Sequence, residues 1–266
     1  SQALNLVRVR KGINPLVKKI NLLREKGGYE NSEFVSFPSR GAMDTLLEDR
    51  PDLASILKDK KVEILYTGIM TKFKKDFVAD SDMKNRNKRL LFVGRLVEEK
   101  GFDLVLEAMK ILKNSGYDIS LDVVGFGDLD PVRKFVSDND LGKTVFLRGV
   151  LSHDEVLKLM LDADILVAPH RKSVFDLVML EAMHVGLPIV STSVGGNLEL
   201  IRSEKEGVLV KVNDLNGLVD GIRLMIEDNA LRMGLADNAR RYALDFFSEE
   251  AMFKRYSRFF EEVSKK

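Results

Sequence analysis

Short apolar runs alternate with longer helical segments along the C-terminal two thirds of the chain. Runs of apolar, often β-branched residues indicate buried strands, and apolar residues spaced by three or four indicate amphipathic helices. The predicted strands cover residues 90–93, 119–124, 145–147, 165–168, 188–192 and 207–210. The predicted helices cover residues 103–114, 131–139, 153–162, 177–185, 215–227, 231–244 and 249–263. This alternation is typical of an α/β fold with a parallel sheet flanked by helices.

Two of these helices have a recognisable start. Ser152 and Glu155 have the S-x-x-E spacing of a capping box, in which hydroxyl and carboxylate each bind a free backbone N–H. A helix should therefore begin at His153. Ser248 is a favoured N-cap residue and should precede the last helix.

The first 71 residues contain too few strands for a domain of their own. The pattern predicts a basic amphipathic helix over 15–26, strands over 34–36 and 61–66, and a helix over 42–47. Residues 72–89 form a charged connector, so we place a domain boundary near Lys72, between 1–71 and 72–266. The basic stretch 8–19 allows two interpretations, a solvated helix or a surface for a membrane or a partner.

The composition narrows the class of protein. Among 266 residues, 42 basic and 41 acidic ones leave a net charge of +1, too little for a field that attracts nucleic acid. The absence of cysteine excludes disulfides and thiolate metal sites and fits a reducing compartment. No apolar stretch approaches the length of a membrane span. We expect a cytoplasmic protein, with peripheral contact at the cytoplasmic membrane face left open.

Two segments resemble the retaining GT-B glycosyltransferases. Residues 93–101 read V-G-R-L-V-E-E-K-G, close to the family's V-G-R-L-x-x-x-K-G, and residues 175–190 are similar to its F-G-L-V-x-L-E-A-M-A-x-G-x-P-V-V signature. Four shorter segments, 124–127, 146–149, 195–199 and 207–210, resemble further family blocks. The resemblance implies the family's Rossmann-like donor domain. Residues 34–76 resemble its crossover, which implies a small, incomplete N-terminal part left from the acceptor domain.

The resemblance gives Arg95 and Lys100 the role of stabilising a leaving diphosphate. Fixed cations stabilise charge that develops as a glycosidic bond breaks, and both residues follow a predicted strand's carboxyl end, where open α/β sheets bind ligands. The competing interpretation is a solvated loop with incidental charges. In the family this pair replaces a divalent ion, so no metal or other cofactor is expected. His153, His170 and His184 also lack the spacing of metal ligands.

Glu181 lies in an otherwise apolar helix, where an unpaired carboxylate is costly to bury, so it should face a ligand or solvent. The resemblance implies that it accepts hydrogen bonds from the nucleotide ribose; the alternative is an exposed helix carboxylate.

Two positions depart from the family. Ser173 stands where the family usually has a second Glu near the sugar, and Asp176 stands where it usually has Gly. Asp176 should leave this backbone less free to approach a phosphate or a sugar.

The other expected contacts follow from the matched segments. The turn at 125–127 fits close backbone approach to a ligand as well as an ordinary turn. The backbone at 148–151 corresponds to the stretch that meets the base, so UDP, GDP and ADP sugars all stay open. Besides Arg95 and Lys100, the predicted donor-binding residues are Gly94, Gly125, Phe126, Gly127, Arg148, Val150, Ser173, Phe175, Asp176, Leu177, Val178 and Glu181. His170 could line the cleft beside Arg171 and Lys172, whereas His153 and His184 are expected to be ordinary helix residues.

The sequence therefore predicts the donor half of a glycosyltransferase. It would move a hexose from a nucleotide diphosphate sugar to a glycan or lipid-linked hydroxyl, with retention of configuration. One alternative is a non-catalytic nucleotide-sugar-binding module or fragment that needs a separate acceptor domain or subunit. Another is a GT-B-like sugar-nucleotide epimerase, which does not explain the match around Glu181.

Overall fold

The computed structural model describes residues 15–69, 87–202 and 205–265, with side chains from residue 22 onward. The helices are α1 (Pro15–Glu30), α2 (Arg40–Asp49), α3 (Ala54–Lys58), α4 (Phe102–Asn114), α5 (Asp130–Asp138), α6 (His153–Asp162), α7 (Leu177–Val185), α8 (Asn197–Leu200), α9 (Leu215–Glu227), α10 (Asn229–Phe247) and α11 (Glu249–Ser264). The strands are β1 (Phe34–Phe37), β2 (Lys61–Ile64), β3 (Lys88–Val93), β4 (Ile119–Val124), β5 (Val145–Gly149), β6 (Ile165–Ala168), β7 (Ile189–Thr192) and β8 (Val208–Val210).

Six of the strands form one parallel sheet in the order β5-β4-β3-β6-β7-β8. The chain builds this sheet outward in both directions, so the strand order reverses between β3 and β6. In open α/β sheets the loops that leave such a reversal diverge and form a crevice for ligands. The predicted Rossmann-like sheet flanked by helices is confirmed.

Apolar layers cover both faces of this sheet. The helices α4 and α9 pack on one face around Met109 and Ile222, and α6, α7 and α10 pack on the other around Met160 and Met183. Because parallel strands are buried on both faces, their sequences are continuously apolar, as in Ile165–Ala168, where every residue is buried. That is why apolar runs located the strands.

The predicted elements of the sheet and its helices are all present, with ends shifted by a few residues. The largest shift at a strand start is in β3, which begins at Lys88 because its charged first residues still pair with β4. Both predicted helix starts are confirmed. Ser152 and Glu155 form the full capping box of α6, and Ser248 Oγ accepts the N–H of Ala251 at the start of α11.

The N-terminal part contains a separate two-stranded parallel sheet of β1 and β2, packed with α2 and α3 around Phe37 and Leu53. The helix predicted over 15–26 extends to Glu30. The boundary near Lys72 and most of the basic stretch 8–19 lie outside the described residues and side chains, so the division into 1–71 and 72–266 stays a prediction. Within the described ranges, no helix is both long and apolar enough to span a membrane.

Glu199 ties this N-terminal part to the large sheet. Its two carboxylate oxygens accept the backbone N–H groups of Arg40, at 2.9 Å, and Gly41, at 2.8 Å. The Tyr66 hydroxyl donates to the same carboxylate at 2.7 Å, and burial together with this bond raises the pKa of Tyr66. A negative side chain at the N-terminus of α2 also interacts favourably with the helix dipole. The contact therefore fixes α2 beside α8.

Candidate functional site

The loops that follow β3 and β6 meet at the strand-order reversal. The N–H of Arg171 donates to the carbonyl of Glu99 at 2.9 Å. The Arg171 guanidinium also binds both carboxylate oxygens of Asp103, at 2.6 and 2.7 Å. Such a forked pair is rigid as well as strong. Arg171 therefore joins the two loops and the start of α4 into one wall of the crevice.

Lys100 lies in this wall and pairs with a buried acid. Its Nζ donates to Asp176 Oδ2 at 2.9 Å, and His170 Nδ1 lies 3.2 Å from the same oxygen. Asp176 and His170 are both buried, whereas 24% of the Lys100 side chain is exposed. The structure thus brings Lys100, Asp176 and His170 together, although they are up to 76 residues apart in sequence.

The charges of this cluster follow from its burial. Burial acts to raise the pKa of the Asp176 carboxyl, but the paired Lys100 ammonium and the Met179 N–H outweigh it, so that pKa is lowered and the group is ionised. Burial lowers the pKa of His170 to about 4, which leaves its imidazole neutral near pH 7. The cluster is therefore a lysine–carboxylate ion pair with a neutral histidine against it.

Asp176 also begins α7. Its Oδ1 accepts the N–H of Met179 at 3.1 Å, which is the standard N-cap bond. The φ angle of Asp176 is −96°, an extended conformation open to any residue. Asp176 therefore adopts this backbone without strain, and the expected loss of backbone freedom relative to the family's glycine stays a prediction.

Arg95 is partly exposed and weakly held. Its Nη2 lies 3.6 Å from Glu99 Oε2, and 43% of its side chain is exposed. Ion pairs of this kind contribute about 0–1 kcal/mol. Arg95 can therefore turn toward an incoming anion at little cost, in contrast to Lys100.

Glu181 is mostly buried and faces His153 rather than open solvent. The Nε2 atom of His153, at the first position of α6, lies 3.0 Å from Glu181 Oε1. Only 18% of the Glu181 side chain is exposed, against 62% of His153. Burial raises the pKa of Glu181, and the bond from His153 opposes that rise. The interpretation of Glu181 as an exposed carboxylate is wrong, whereas His153 is a first-turn helix residue as expected and in addition contacts Glu181.

The turn at 125–127 packs against the loop after β3. The Leu96 N–H donates to the carbonyl of Phe126 at 2.9 Å. Gly125 has a φ of 144°, and a Cβ there would lie 1.8 Å from the Gly94 carbonyl oxygen. The backbone that approaches these glycines closely is the protein's own and not a ligand. This favours the interpretation of Gly125 and Gly127 as turn residues. The Phe126 side chain is 62% exposed and is open to a ligand.

Arg148 and Val150 lie at the end of β5 and differ in how firmly their side chains are held. Arg148 Nε donates to Oδ1 of the buried Asp122 at 2.6 Å, so its guanidinium is held against the sheet. Val150 is 73% exposed. The sequence predicts that the backbone at 148–151 contacts the base. The pairing of the Arg148 side chain does not test this prediction.

The segment before α7 is fixed from the N-terminal side. Ser39 Oγ donates to the Val174 carbonyl at 2.6 Å, and the Ser173 carbonyl accepts the N–H of Gly196 at 3.1 Å. Ser173 is buried. The Phe175 ring lies 6.0 Å from the ring of Tyr66, so it packs among aromatic side chains. These contacts hold the segment in one conformation.

The remaining predicted residues are either exposed or packed against the core. Leu177 is 46% exposed beside Asp176, whereas Val178 packs partly against the apolar layer. His184 lies 3.2 Å from the Phe247 carbonyl, which confirms it as a packing residue. In the described part of the chain, no three His, Asp or Glu side chains are arranged to hold a metal ion.

The family profile described as "Glycosyl transferases group 1" matches residues 73–242. An uncharacterized glycosyltransferase of Methanocaldococcus jannaschii, MJ1607, is 31% identical over 211 residues, which are 74% of this chain and 53% of that protein. N-acetyl-alpha-D-glucosaminyl L-malate synthase of Bacillus anthracis is 25% identical over 248 residues, 91% of this chain and 62% of the synthase. The chain spans about half the length of the curated relatives it matches.

Solved structures share the fold. Sucrose-phosphate synthase from Thermosynechococcus elongatus superposes with a TM-score of 0.77 at 22% identity, over 100% of this chain and 66% of that one. Anabaena HepE in complex with UDP-glucose superposes with a TM-score of 0.73 at 19% identity, over 94% of this chain and 70% of that one. Similarity at these identities shows the fold alone.

Proposed function

Because the chain belongs to the group 1 glycosyl transferases, we propose that the crevice between β3 and β6 binds a nucleotide diphosphate sugar. The hexose would pass to a hydroxyl of a glycan or lipid-linked acceptor, with retention of configuration. One observation carries the proposal: Arg95 and Lys100 share one loop at the strand-order reversal, and the loop that follows β6 contacts it. A diphosphate fits a pair of cations on such a loop.

The two cations differ in what they can supply. As the glycosidic bond breaks, negative charge develops on the diphosphate oxygen that leaves the sugar. Arg95 is partly exposed and can move to that charge, while Lys100 is held in place by Asp176 and presents a fixed ammonium. We expect this pair to act where other enzymes use a divalent ion. Because Lys100 is in place before the reaction begins, less reorganisation is needed in the transition state.

Glu181 supplies an acceptor for the nucleotide. A ribose hydroxyl would donate to its carboxylate, and no proton transfer is needed. His153 already holds Oε1 at 3.0 Å, which orients the carboxylate and leaves its other oxygen for the ribose. The HepE structure in complex with UDP-glucose supports a nucleotide sugar as the ligand of this fold.

A second candidate is a non-catalytic donor-binding module that works with a separate acceptor domain or subunit. The observation that favours it is Ser173, which stands where the family usually has a glutamate near the sugar. Donor binding is common to both candidates. Transfer by this chain without any added domain distinguishes them.

A thermal-shift panel of UDP, GDP and ADP sugars tests donor binding. A ligand that binds only the folded state at 100 times its Kd adds about 2.7 kcal/mol of stability. For a domain of this size, each kcal/mol raises the Tm by roughly 2–4 °C. We expect a shift of several degrees with at least one sugar, and a smaller shift with Arg95→Ala. Absence of any shift at millimolar concentrations would reject the proposal.

A further inference from the structure

The ion pair between Lys100 and Asp176 changes what the crevice offers to a diphosphate. Asp176 is buried, and its Oδ2 lies 2.9 Å from Lys100 Nζ. An approaching diphosphate meets a lysine whose charge is already compensated by a carboxylate that cannot move to solvent. The phosphate must share the ammonium with this carboxylate, since an ammonium has three donors but a single charge.

The carboxylate cannot swing aside. Oδ1 accepts the N–H of Met179 and Oδ2 accepts Lys100 Nζ, so contacts hold both oxygens, while His170 Nδ1 lies 3.2 Å from Oδ2 without a hydrogen bond to it. His170 is itself 2% exposed, and Lys100 is the group in the cluster that reaches solvent. Any anion in the crevice therefore contacts the cluster through Lys100.

The N-cap of α7 does not require a charge. Asn and Ser serve as N-caps as well as Asp does, because one side-chain oxygen is enough. Asp214 and Asp228 cap α9 and α10 through the N–H groups of Gly217 and Leu231, and no ion pair of either is observed among the described residues. The pairing with Lys100 is a second property of Asp176, beyond capping.

We propose that Asp176 is a positioning residue that acts through Lys100: it fixes the ammonium in the crevice and lowers its attraction for a diphosphate. This inference rests on the proposed donor site. After transfer, the free nucleoside diphosphate has an additional ionisable oxygen on the phosphate that the sugar has left. This extra oxygen makes the product depend more than the donor on the N–H donors and the charge of Lys100, which the Asp176 carboxylate already shares. Asp176 thus favours release of the product over release of the donor.

The test compares Asp176→Asn with the wild type by calorimetric titration of UDP, GDP and ADP and of their nucleosides. Asn keeps the N-cap oxygen and the side-chain size but removes the charge. We expect about tenfold tighter binding of a nucleoside diphosphate. The affinity for the matching nucleotide sugar should rise less, and that for the nucleoside should stay unchanged. Asp228→Asn, an Asp-to-Asn change at another N-cap, is the matched control and should change none of these affinities.

A thermodynamic cycle shows whether the effect passes through Lys100. In a Lys100→Met background, adding Asp176→Asn should lose most of the gain in affinity for the nucleoside diphosphate and keep only the part due to direct repulsion by the carboxylate, whereas a purely structural effect of the substitution would persist in full. Asp176→Ser introduces a second uncharged N-cap and should reproduce the gain, so the result does not depend on the folding of one variant. Circular dichroism and Tm confirm that each variant is folded.

The titrations separate the role of Asp176 from the existence of the donor site. If the wild type binds a nucleoside diphosphate but neither uncharged variant binds it more tightly, the role of Asp176 is rejected and the donor site stands. A gain of undiminished size in the Lys100→Met background also rejects it. If the wild type binds no nucleoside diphosphate or nucleotide sugar, the donor site is rejected and the role of Asp176 with it.

Discussion

His153 Nε2 lies 3.0 Å from Glu181 Oε1, which links the first turn of α6 to the middle of α7. The bond keeps a mostly buried carboxylate partnered, so its burial costs less. It also leaves the carboxylate oriented before any ligand arrives. An acceptor for the ribose is most effective when it needs no rearrangement on binding.

Glu181→Gln should therefore weaken donor binding and preserve the fold. Gln keeps the size and one acceptor oxygen but loses the charge, which strengthens hydrogen bonds with hydroxyl donors. We expect the affinity for a nucleotide to fall by about 1–2 kcal/mol. Calorimetric titration measures the affinity, and thermal unfolding measures stability.

Glu261→Gln on α11 is the matched control, because Glu261 is exposed and remote in sequence. Its affinity and stability should stay within about 0.5 kcal/mol of the wild type. Equal nucleotide affinities of the Glu181→Gln variant and the wild type would show that the family's ribose contact has been placed on the wrong residue.

Arg95→Ala and Lys100→Ala should each weaken diphosphate binding more than nucleoside binding, by roughly 1.5–3 kcal/mol. Their effects on stability should differ. Lys100→Ala leaves the buried Asp176 without its cation, and loss of one partner from a buried pair costs up to about 3–5 kcal/mol. Arg95→Ala breaks only an exposed pair and should leave the Tm nearly unchanged.

Arg133→Ala on α5 is the control for both, since Arg133 is a largely exposed arginine paired within its own helix. If diphosphate and nucleoside affinities fell equally in the Arg95 and Lys100 variants, the assignment of these residues to the diphosphate would be wrong.

Local sequence signals account for most of the fold. The capping box at Ser152 and the N-cap at Ser248 each depend on residues three positions apart, so the sequence contains both halves of the interaction. The apolar runs located every strand of the large sheet for a similar reason. Burial on both faces leaves no polar positions within a strand such as β6.

The site was less accessible to sequence reasoning, because its interactions join distant positions. Lys100 could be singled out from its motif, but its partner Asp176 is 76 residues away, and an aspartate before an apolar helix signals only an N-cap. His153 was interpreted as a helix residue, since nothing in its own segment points to Glu181, 28 residues later. The sequence identified candidate side chains and not the pairs they form.

Gly101→Ala should destabilise the loop that carries Lys100. Gly101 has a φ of 67°, and a Cβ there would lie 1.9 Å from the carbonyl oxygen of Pro169. Left-handed backbone and a clash with backbone atoms together should cost about 2–4 kcal/mol. Chemical denaturation measures the loss. Gly142→Ala is the control, because a Cβ there meets no atom within 4 Å, and its cost should stay below about 1 kcal/mol.

His170 should make the stability of the fold depend on pH between about 4 and 6.5. Burial lowers its pKa from 6.5 in the unfolded chain to about 4 in the folded one. Between these values the unfolded chain binds more protons, so the free energy of unfolding rises with pH across the window and levels off above it. As pH falls from 6.5 to 4, the loss attributable to this group should approach about 3 kcal/mol. The pKa of His184 is also lowered by burial, and it contributes with the same sign. Asp176 does not share the window, because its pKa is lowered from 3.8 and its stabilisation is lost only in stronger acid.

Urea denaturation of wild type and His170→Gln at several pH values isolates the His170 contribution. The variant should show a shallower rise, and parallel curves for the two proteins would mean that His170 is not held neutral by the folded chain.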